Sequence, residues 1–144
     1  MADKAENQTS SSKLNSFLEK KKKGLLGLLI ALIVCLAAYI VISAVNNNIK
    51  EKNLAEIEEI SYTLTHDSAS LDESELNARR IDAIDNLAVY AKKGGIVGAR
   101  ANYLCAELTY QQKKYEDAVT YYEATAKKAG KTYLAPVAYY NLGV

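Results

Sequence analysis

Residues 20–45 read KKKKGLLGLLIALIVCLAAYIVISAV, and this stretch decides how the rest of the chain has to be interpreted. Its apolar part, residues 24–45, contains 22 residues and no charged side chain. Because an α-helix rises about 1.5 Å per residue, this part is about 33 Å long as a helix, enough to cross a hydrocarbon core of about 30 Å. The stretch therefore predicts a transmembrane helix over residues 24–45, which contacts the lipid bilayer.

The charges that flank the apolar segment predict its orientation, because Lys and Arg near the ends of a span favour the cytoplasmic side. Six lysines precede the segment, whereas the first residues after it offer only Lys50 and Lys52, around Glu51. We therefore expect a cytoplasmic N-terminus and an extracytoplasmic domain over residues 46–144. A cleaved signal peptide is the alternative, but its apolar core is usually about 7–15 residues long, and Ile42-Ser43-Ala44 is a poor cleavage site.

Composition and charge separate the two ends of the chain. Residues 1–23 are predicted to form a disordered, basic cytoplasmic tail, because the start of the chain is rich in Ser, Asn and Lys and poor in large apolar groups. Residues 46–144 carry 12 basic and 14 acidic side chains, a net charge of −2, so no nucleic-acid partner is expected. Cys35 lies in the apolar segment and Cys105 far beyond it, so no intramolecular disulfide is expected.

Beyond the span, apolar residues recur at helical spacing and never alternate over the length of a strand, which predicts an all-α domain. Residues 46–70 are predicted to form a linker helix and a loop, with the break at residues 65–70. Ser70 and Glu73 have the spacing of a capping box at the start of the next helix. The inward side of that helix is expected to carry Leu76, Ala83, Ile84, Leu87 and Ala91.

Two similar helix ends lie 35 residues apart, Lys92-Lys93-Gly94-Gly95 and Lys127-Lys128-Ala129-Gly130. In each, cations are expected in the last helical turn and a glycine in the left-handed cap. The same offset relates Leu87 to Tyr122. A repeat of this length indicates stacked helical units that share one elongated core.

The period and the residue types resemble the tetratricopeptide repeat, a helix-turn-helix unit of about 34 residues. The unit over residues 99–130 matches best, and residues 54–64 are expected to serve as the first helix of the unit before it. The resemblance implies that residues 71–144 form a solenoid of antiparallel helix pairs whose last repeat is incomplete. The matching positions are Cys105-Ala106 at the Leu-Gly position of the family, Tyr110 near the end of the first helix, Tyr115, Ala118 and Tyr122 in the second, and Pro136, Tyr139, Leu142 and Gly143 in the next unit. Asn102 departs from the family pattern, in which the first position is aromatic.

The sequence contains no motif that indicates a catalytic site. His66 is the only histidine and lies in a polar loop, and no HExxH, CxxC, phosphate-binding glycine loop or nucleophile elbow is present. The acidic run around Glu56 and Glu58 is more typical of a solvated helix face than of a cation site. We therefore expect no catalytic residue, no cofactor and no metal site.

The tyrosines are the candidates for partner binding, because a tyrosine combines a rigid ring with a hydrogen-bonding tip. Tyr103, Tyr139 and Tyr140 are the residues that we expect to line a protein-binding groove, although an aromatic repeat core is an equally good explanation for them. Tyr115 and Tyr122 match the packing pattern of the repeat, so they are expected in the core.

Within the predicted span, Gly27, Ala31 and Cys35 recur every four residues and form a ridge of small residues on one helix face. Such ridges allow helices to approach closely. The ridge is therefore a candidate packing surface for self-association in the membrane, so a homo-oligomer is one expectation. Small residues are also common in spans that do not associate.

The layout of a short tail, one N-in span and a helical-repeat domain resembles the YfgM family of bacterial inner-membrane proteins. The resemblance implies a single-pass protein of the inner (cytoplasmic) membrane with a periplasmic domain. It also implies a non-enzymatic adaptor that is ancillary to the Sec translocon and contacts periplasmic chaperones or emerging secreted chains. The alternative is a structural subunit of a large envelope assembly, such as a secretion apparatus or the periplasmic collar of a flagellar motor.

The last helical pattern, residues 136–144, has no partner helix in the sequence. Repeat arrays usually need about three units, because each unit buries its apolar face only against a neighbour. Two expectations stay open: the chain is a fragment of a longer array, or the uncovered face of residues 136–144 binds another chain.

Overall fold

The structure, a computed structural model, describes the backbone of residues 2–143 and the side chains of residues 21–143. The described residues form helices and turns and no strand, which confirms the all-α class. The predicted disorder of residues 1–23 falls mostly outside the described side chains and stays a prediction. The helices are α1 (Ala2–Thr65), a short 3₁₀ helix (Ser68–Ser70), α2 (Glu73–Ala91), α3 (Gly95–Gln111), α4 (Tyr115–Ala129) and α5 (Leu134–Leu142).

The chain divides into two compact units, Met1–Asn46 and Asn47–Val144. In the first unit, every described side chain of residues 21–46 is exposed, including the large apolar ones. The helix that contains them is long and apolar enough to cross a membrane. Burial inside the protein does not explain this apolar surface, so the lipid bilayer is the environment that its composition fits.

In the second unit, consecutive helices run antiparallel. Arg80 of α2 bonds to Gln111 of α3, whereas Ala91, further along α2, bonds to Asn102, earlier in α3. The same order holds for the next pair, in which Ala129 and Tyr122 of α4 cluster with Leu134 and Ala138 of α5.

The contact between α3 and α4 is made by two pairs of tyrosines. Next to the turn between α3 and α4, the rings of Tyr110 and Tyr115 meet with their centroids 5.4 Å apart. Further from that turn, Tyr103 meets Tyr122 at 6.0 Å. Lower residue numbers on α3 thus lie opposite higher residue numbers on α4, so the two helices form an antiparallel hairpin. A connection of three residues between helices favours this arrangement.

The largest core cluster joins the C-terminal part of α1 to α2 and α3. Ile57 of α1 and Leu87 of α2 are fully buried in it, so the segment expected to complete the first helix pair does pack against α2. Two smaller clusters lie between α3, α4 and α5. The buried residues of the first cluster are Ile57, Ala83, Leu87, Val97, Ala101, Cys105 and Leu108. Those of the other two are Ala106, Ala118, Tyr122 and Ala138, and Ala99, Ala129 and Leu134.

The capping box at the start of α2 lies two residues further along the chain than predicted. Asp72, not Ser70, is the N-cap: its Oδ1 accepts a hydrogen bond from the Glu75 backbone N–H at 2.8 Å. The Glu75 carboxylate in turn accepts one from the Asp72 backbone N–H at 3.1 Å. Ser70 cannot serve, because its hydroxyl donates to the Asp67 carbonyl and closes the preceding 3₁₀ turn.

The two lysine-glycine helix ends differ in geometry. In α4, Lys127 and Lys128 lie in the last turn and a glycine with positive φ, Gly130, ends the helix, as predicted, but its φ of 58° and ψ of −121° are not those of the left-handed helical cap. In α2 the prediction was wrong, because the helix ends at Ala91 and the lysines lie beyond its last turn. The positive φ there, 61°, belongs to Gly95 at the start of α3.

The junction between α2 and α3 is held by polar contacts that the repeat pattern did not predict. The Asn102 amide donates to the carbonyls of Ala91 at 2.9 Å and Gly98 at 2.6 Å. Lys128 of α4 donates its Nζ to the carbonyls of Ala91 at 2.8 Å and Lys93 at 2.9 Å. An asparagine suits this position because its amide reaches a carbonyl at the end of α2 that has no partner within that helix.

Candidate protein-binding face

Tyr103 lies on α3 and is largely a packing residue. Its ring is half-buried and meets Tyr122 edge to face, with an interplanar angle of 65°. The hydroxyl of Tyr122 donates to Glu107 at 2.9 Å. The pKa of the Tyr103 phenol is raised, first by burial and then by the charge of Glu107, so the phenol stays protonated at neutral pH. Tyr103 is therefore part of the packed α3–α4 contact more than an open binding residue.

Tyr122 and Tyr115 were both expected in the core, and only Tyr122 is there. Tyr122 is buried, and burial followed by its hydrogen bond to Glu107 raises its pKa. Tyr115 is 55% exposed, so the prediction for it was wrong. It lies at the first position of α4, where its ring meets the equally exposed Tyr110 edge to face beside the turn.

Tyr139 and Tyr140 lie on α5 and are 65% and 70% exposed. Helix α5 has the sequence LAPVAYYNL, without a charged residue, and its inward side is formed by Leu134 and Ala138. The ring pairs found among residues 21–143 do not include Tyr139 or Tyr140. These two tyrosines and Pro136 therefore form an uncharged, open face, which we call the α5 face.

Tyr103 does not join the α5 face directly. Its neighbour on α5 is Asn141, whose side chain lowers the pKa of the Tyr103 phenol through hydrogen bonding. The three tyrosines that the sequence singled out thus divide into one packing residue and two exposed ones. Whether they bind a partner stays a prediction.

A cation beside this region is already neutralised. Arg100 of α3 donates Nε to Glu58 Oε1 at 2.7 Å and Nη2 to Glu58 Oε2 at 3.1 Å, which links α3 to α1. The hydrogen bond from Arg100 lowers the pKa of the Glu58 carboxyl, and that bond also raises the pKa of Arg100. Because both charges are used in a two-pronged pair, Arg100 is not a free site for an acidic ligand.

Two open grooves flank the end of α1. One, of about 390 Å³, lies between α1 and α2 and includes His66, whose ring stacks on Tyr62 at 5.0 Å. The other, of about 370 Å³, is lined by residues of α1, α2 and α3, among them Arg80 and Glu107. Within residues 21–143, no group of three His, Cys, Asp or Glu side chains is placed to hold a metal ion. The geometry of these grooves assigns neither of them a reaction.

The cysteines lie in different environments. Cys105 is buried in the core, and burial raises the pKa of its thiol to about 12. The thiol is therefore protonated at neutral pH and behaves as a small apolar side chain. Cys35 is exposed, together with Gly27 and Ala31, on α1. A Cβ added at Gly27 would meet no other atom within 4 Å, so the predicted ridge is open and its role in self-association stays a prediction.

Comparisons with protein families, with characterised proteins and with solved structures gave no match to this chain. The fold therefore defines the class of protein. It is a helical protein that has, among its described residues, one candidate membrane-spanning segment and a domain of consecutive antiparallel helices.

Proposed function

We propose that the chain is a single-span membrane protein whose helical domain acts as a non-enzymatic adaptor and binds other proteins on the extracytoplasmic side. The observation that carries the proposal is the α5 face. Two tyrosines that are 65% and 70% exposed lie on a helix without a single charge. Exposed aromatic residues in an uncharged patch are typical of protein-binding surfaces.

The proposal includes the hypothesis that the domain is a solenoid of tetratricopeptide-like helix pairs. It is supported by the antiparallel order of α2, α3, α4 and α5 and by the 35-residue spacing of the two helix ends. Solenoids of helix pairs present extended surfaces and commonly recognise other proteins. The resemblance to the YfgM family implies that the protein lies in the bacterial inner membrane with its helical domain in the periplasm. It also implies the Sec translocon or periplasmic chaperones as the candidate partners.

The proposal is tested by photo-crosslinking in the cell from position 139 of the full chain, with mass spectrometry of the captured proteins. Position 115 is the matched control, because Tyr115 is also an exposed tyrosine but lies on α4 and meets Tyr110 edge to face. We expect translocon subunits, chaperones or varied secreted proteins from position 139 and few products from position 115. Equal capture from both positions, or none from position 139, would contradict an adaptor role of the α5 face.

The same experiment separates the adaptor from a structural subunit of an envelope assembly. An adaptor exchanges its partners, so several different crosslinked products are expected, and the same partners are lost in detergent when no crosslink is made. A subunit of a secretion apparatus or of a flagellar collar keeps one or two constant neighbours, which co-purify at fixed stoichiometry.

A further inference from the structure

One end of the helical domain is formed by two chain segments whose charged side chains are all basic. Residues 92–95 join α2 to α3, and residues 127–133 form the last turn of α4 and its connection to α5. The two segments are in contact, because Lys128 Nζ donates to the carbonyls of Ala91 and Lys93. Their lysines are Lys92, Lys93, Lys127, Lys128 and Lys131.

Part of α1 belongs to the same end of the domain. Lys93 Nζ donates to Asn53 Oδ1 at 3.2 Å, so residues 50–53 of α1 lie beside the junction between α2 and α3. We call the surface formed by residues 50–53, 92–95 and 127–133 the lysine end. It carries seven basic side chains and one acidic side chain, a net charge of +6.

The opposite end of the domain has the opposite sign. It is formed by residues 66–80 and 111–117, which meet where Arg80 Nε donates to Gln111 Oε1 at 3.2 Å. These residues carry six acidic and four basic side chains, a net charge of −2. At the lysine end two helices end and two begin, so the helix dipoles largely offset each other and the side chains set the sign of the potential.

The lysine end is also the end of the domain that α1 connects most closely to the apolar segment. Asn53 follows Val45 by eight residues of α1, a rise of about 12 Å, whereas Thr65 follows Val45 by 20 residues, about 30 Å. Lipid headgroups extend about 5–8 Å beyond the hydrocarbon core. The remaining distance is within one Debye length, about 8 Å at physiological salt, so charges near Asn53 interact with the headgroups.

Tyr133 adds a side chain that suits the boundary between lipid and water. It lies in the connection between α4 and α5, is 68% exposed and follows the exposed Lys131 by two residues. Tyrosine is enriched at membrane interfaces, because its ring is apolar and its hydroxyl is polar. The lysine end therefore combines the aromatic and the cationic side chains that contact lipid headgroups.

We propose that the lysine end binds anionic phospholipid headgroups and so docks the helical domain on the surface of its own membrane. The exposed lysines that make this contact are Lys92, Lys127 and Lys131. An acidic surface of another protein could offer the same charge, but the chain itself brings only the membrane to this end of the domain. The inference rests on the membrane anchor of the proposed function and does not depend on the protein that the α5 face binds.

The test places the full chain, with Cys35→Ala and Cys105→Ala, in lipid nanodiscs and attaches a fluorophore through Gly94→Cys. Gly94 is exposed at the lysine end, and a Cβ there meets no atom within 4 Å. A phosphatidylcholine with a nitroxide on its headgroup quenches the fluorophore on contact. We expect about twofold more quenching when about one-third of the lipid is phosphatidylglycerol than in phosphatidylcholine alone, and the difference disappears at about 1 M salt. A fluorophore at Ser74→Cys, at the opposite end, is expected to show no such difference.

Two matched double variants identify the lysines that act. Lys92→Gln with Lys127→Gln removes two exposed charges from the lysine end. A lysine near an anionic surface contributes about fivefold to binding, so this variant is expected to lose most of the added quenching at the lysine end. Lys113→Gln with Lys114→Gln is the control, because it removes two exposed charges from the opposite end and leaves the added quenching unchanged.

Three results overturn the inference: equal quenching in neutral and anionic nanodiscs, added quenching that persists at high salt, or equal losses in the two double variants. Failure of the chain to enter nanodiscs would remove the membrane anchor and this inference with it. Equal quenching in both lipids, with acidic proteins captured by photo-crosslinking from position 94, would assign the lysine end to a protein partner and leave the anchor standing. Added quenching in anionic lipid without any capture from position 139 would support the lipid contact and remove the adaptor role.

Discussion

At the residue scale, the positions that matter most for stability are those whose contacts cannot be read from hydrophobicity. Gly98 looks unremarkable in the sequence, yet its missing side chain lets the end of α2 approach α3. Lys128 looks like an ordinary lysine at a helix end, yet its ammonium donates to two carbonyls at the junction between α2 and α3. Both act on the same junction, between Ala91 and Gly98.

Gly98→Ala is expected to lower the free energy of unfolding by about 3 kcal/mol, at the upper end of overpacking effects. A Cβ at this position would come within 1.9 Å of the Lys93 carbonyl oxygen, and that atom belongs to the backbone and cannot rotate away. Thermal and urea unfolding of the full chain in micelles, followed by circular dichroism, measures the change. Gly94→Ala is the control, because its Cβ meets no atom within 4 Å and its φ is −85°. Equal losses in both variants would show that the close approach is not the cause.

Lys128→Met is expected to cost about 1–2 kcal/mol, because it leaves two partly buried carbonyls without their charged donor. Lys127→Met is the matched control, since Lys127 is exposed and also lies in the last turn of α4. The two variants lose the same charge near the same helix end, so the helix dipole affects them alike. A similar effect of both, in the same unfolding experiment, would contradict the role of Lys128 as a cap of α2.

At the element scale, caps and polar contacts between helices act together with the core clusters to hold the helices in place. Arg79 of α2 donates to the carbonyls of Thr63 and His66, at the end of α1. Arg100 of α3 pairs with Glu58 of α1, so the end of α1 is tied to both following helices. The α1–α3 pair lowers the pKa of the Glu58 carboxyl, so its contribution to stability depends on pH.

Glu58→Gln is expected to destabilise the domain by less than about 1 kcal/mol at pH 7, because the Glu58 carboxylate is half exposed and solvent weakens the pair. The pKa of Glu58 is lower in the folded protein than its ordinary value of 4.5. The pair therefore contributes fully above that ordinary value, and its contribution is lost as the pH falls through the lowered pKa.

The difference between wild type and Glu58→Gln should shrink when unfolding is measured at about pH 3 instead of pH 7. Glu59→Gln is the control, since Glu59 is an exposed neighbour on the same helix. A difference that grows on acidification would show that the interaction has the opposite sign.

At the scale of the whole molecule, the property to test is the predicted orientation in the membrane, with the N-terminus in the cytoplasm and residues 46–144 on the other side. Cys35→Ala and Cys105→Ala remove the two native cysteines, and single cysteines are then introduced by Ser12→Cys or Ser74→Cys. In intact bacterial cells permeable only at the outer membrane, an impermeant maleimide is expected to label the protein at position 74 and not at position 12. The reason is the excess of lysine before the span. Labelling at position 12 alone would reverse the proposed topology and the compartment of the α5 face.

Much of the secondary structure followed from local rules. The break after Thr65, the burial of Leu87, and the glycine cap after α4 were predicted from apolar spacing and helix-end chemistry, which act over only a few residues. The capping box was placed two residues too early, because Ser70 and Asp72 both have a side chain suited to capping and only the preceding 3₁₀ turn excludes Ser70.

The sequence by itself determined the apolar segment over residues 24–45, the all-α class and the register between α3 and α5, because these depend on composition and period along the chain. Only the tertiary structure decided which tyrosines are open. Tyr103 and Tyr140 lie 37 residues apart, on α3 and α5, yet one is half-buried against α4 and the other is 70% exposed. The reason is physical: the exposure of a side chain depends on which helix lies across it, and that neighbour is set by packing between elements, not by the residues next to it in the chain.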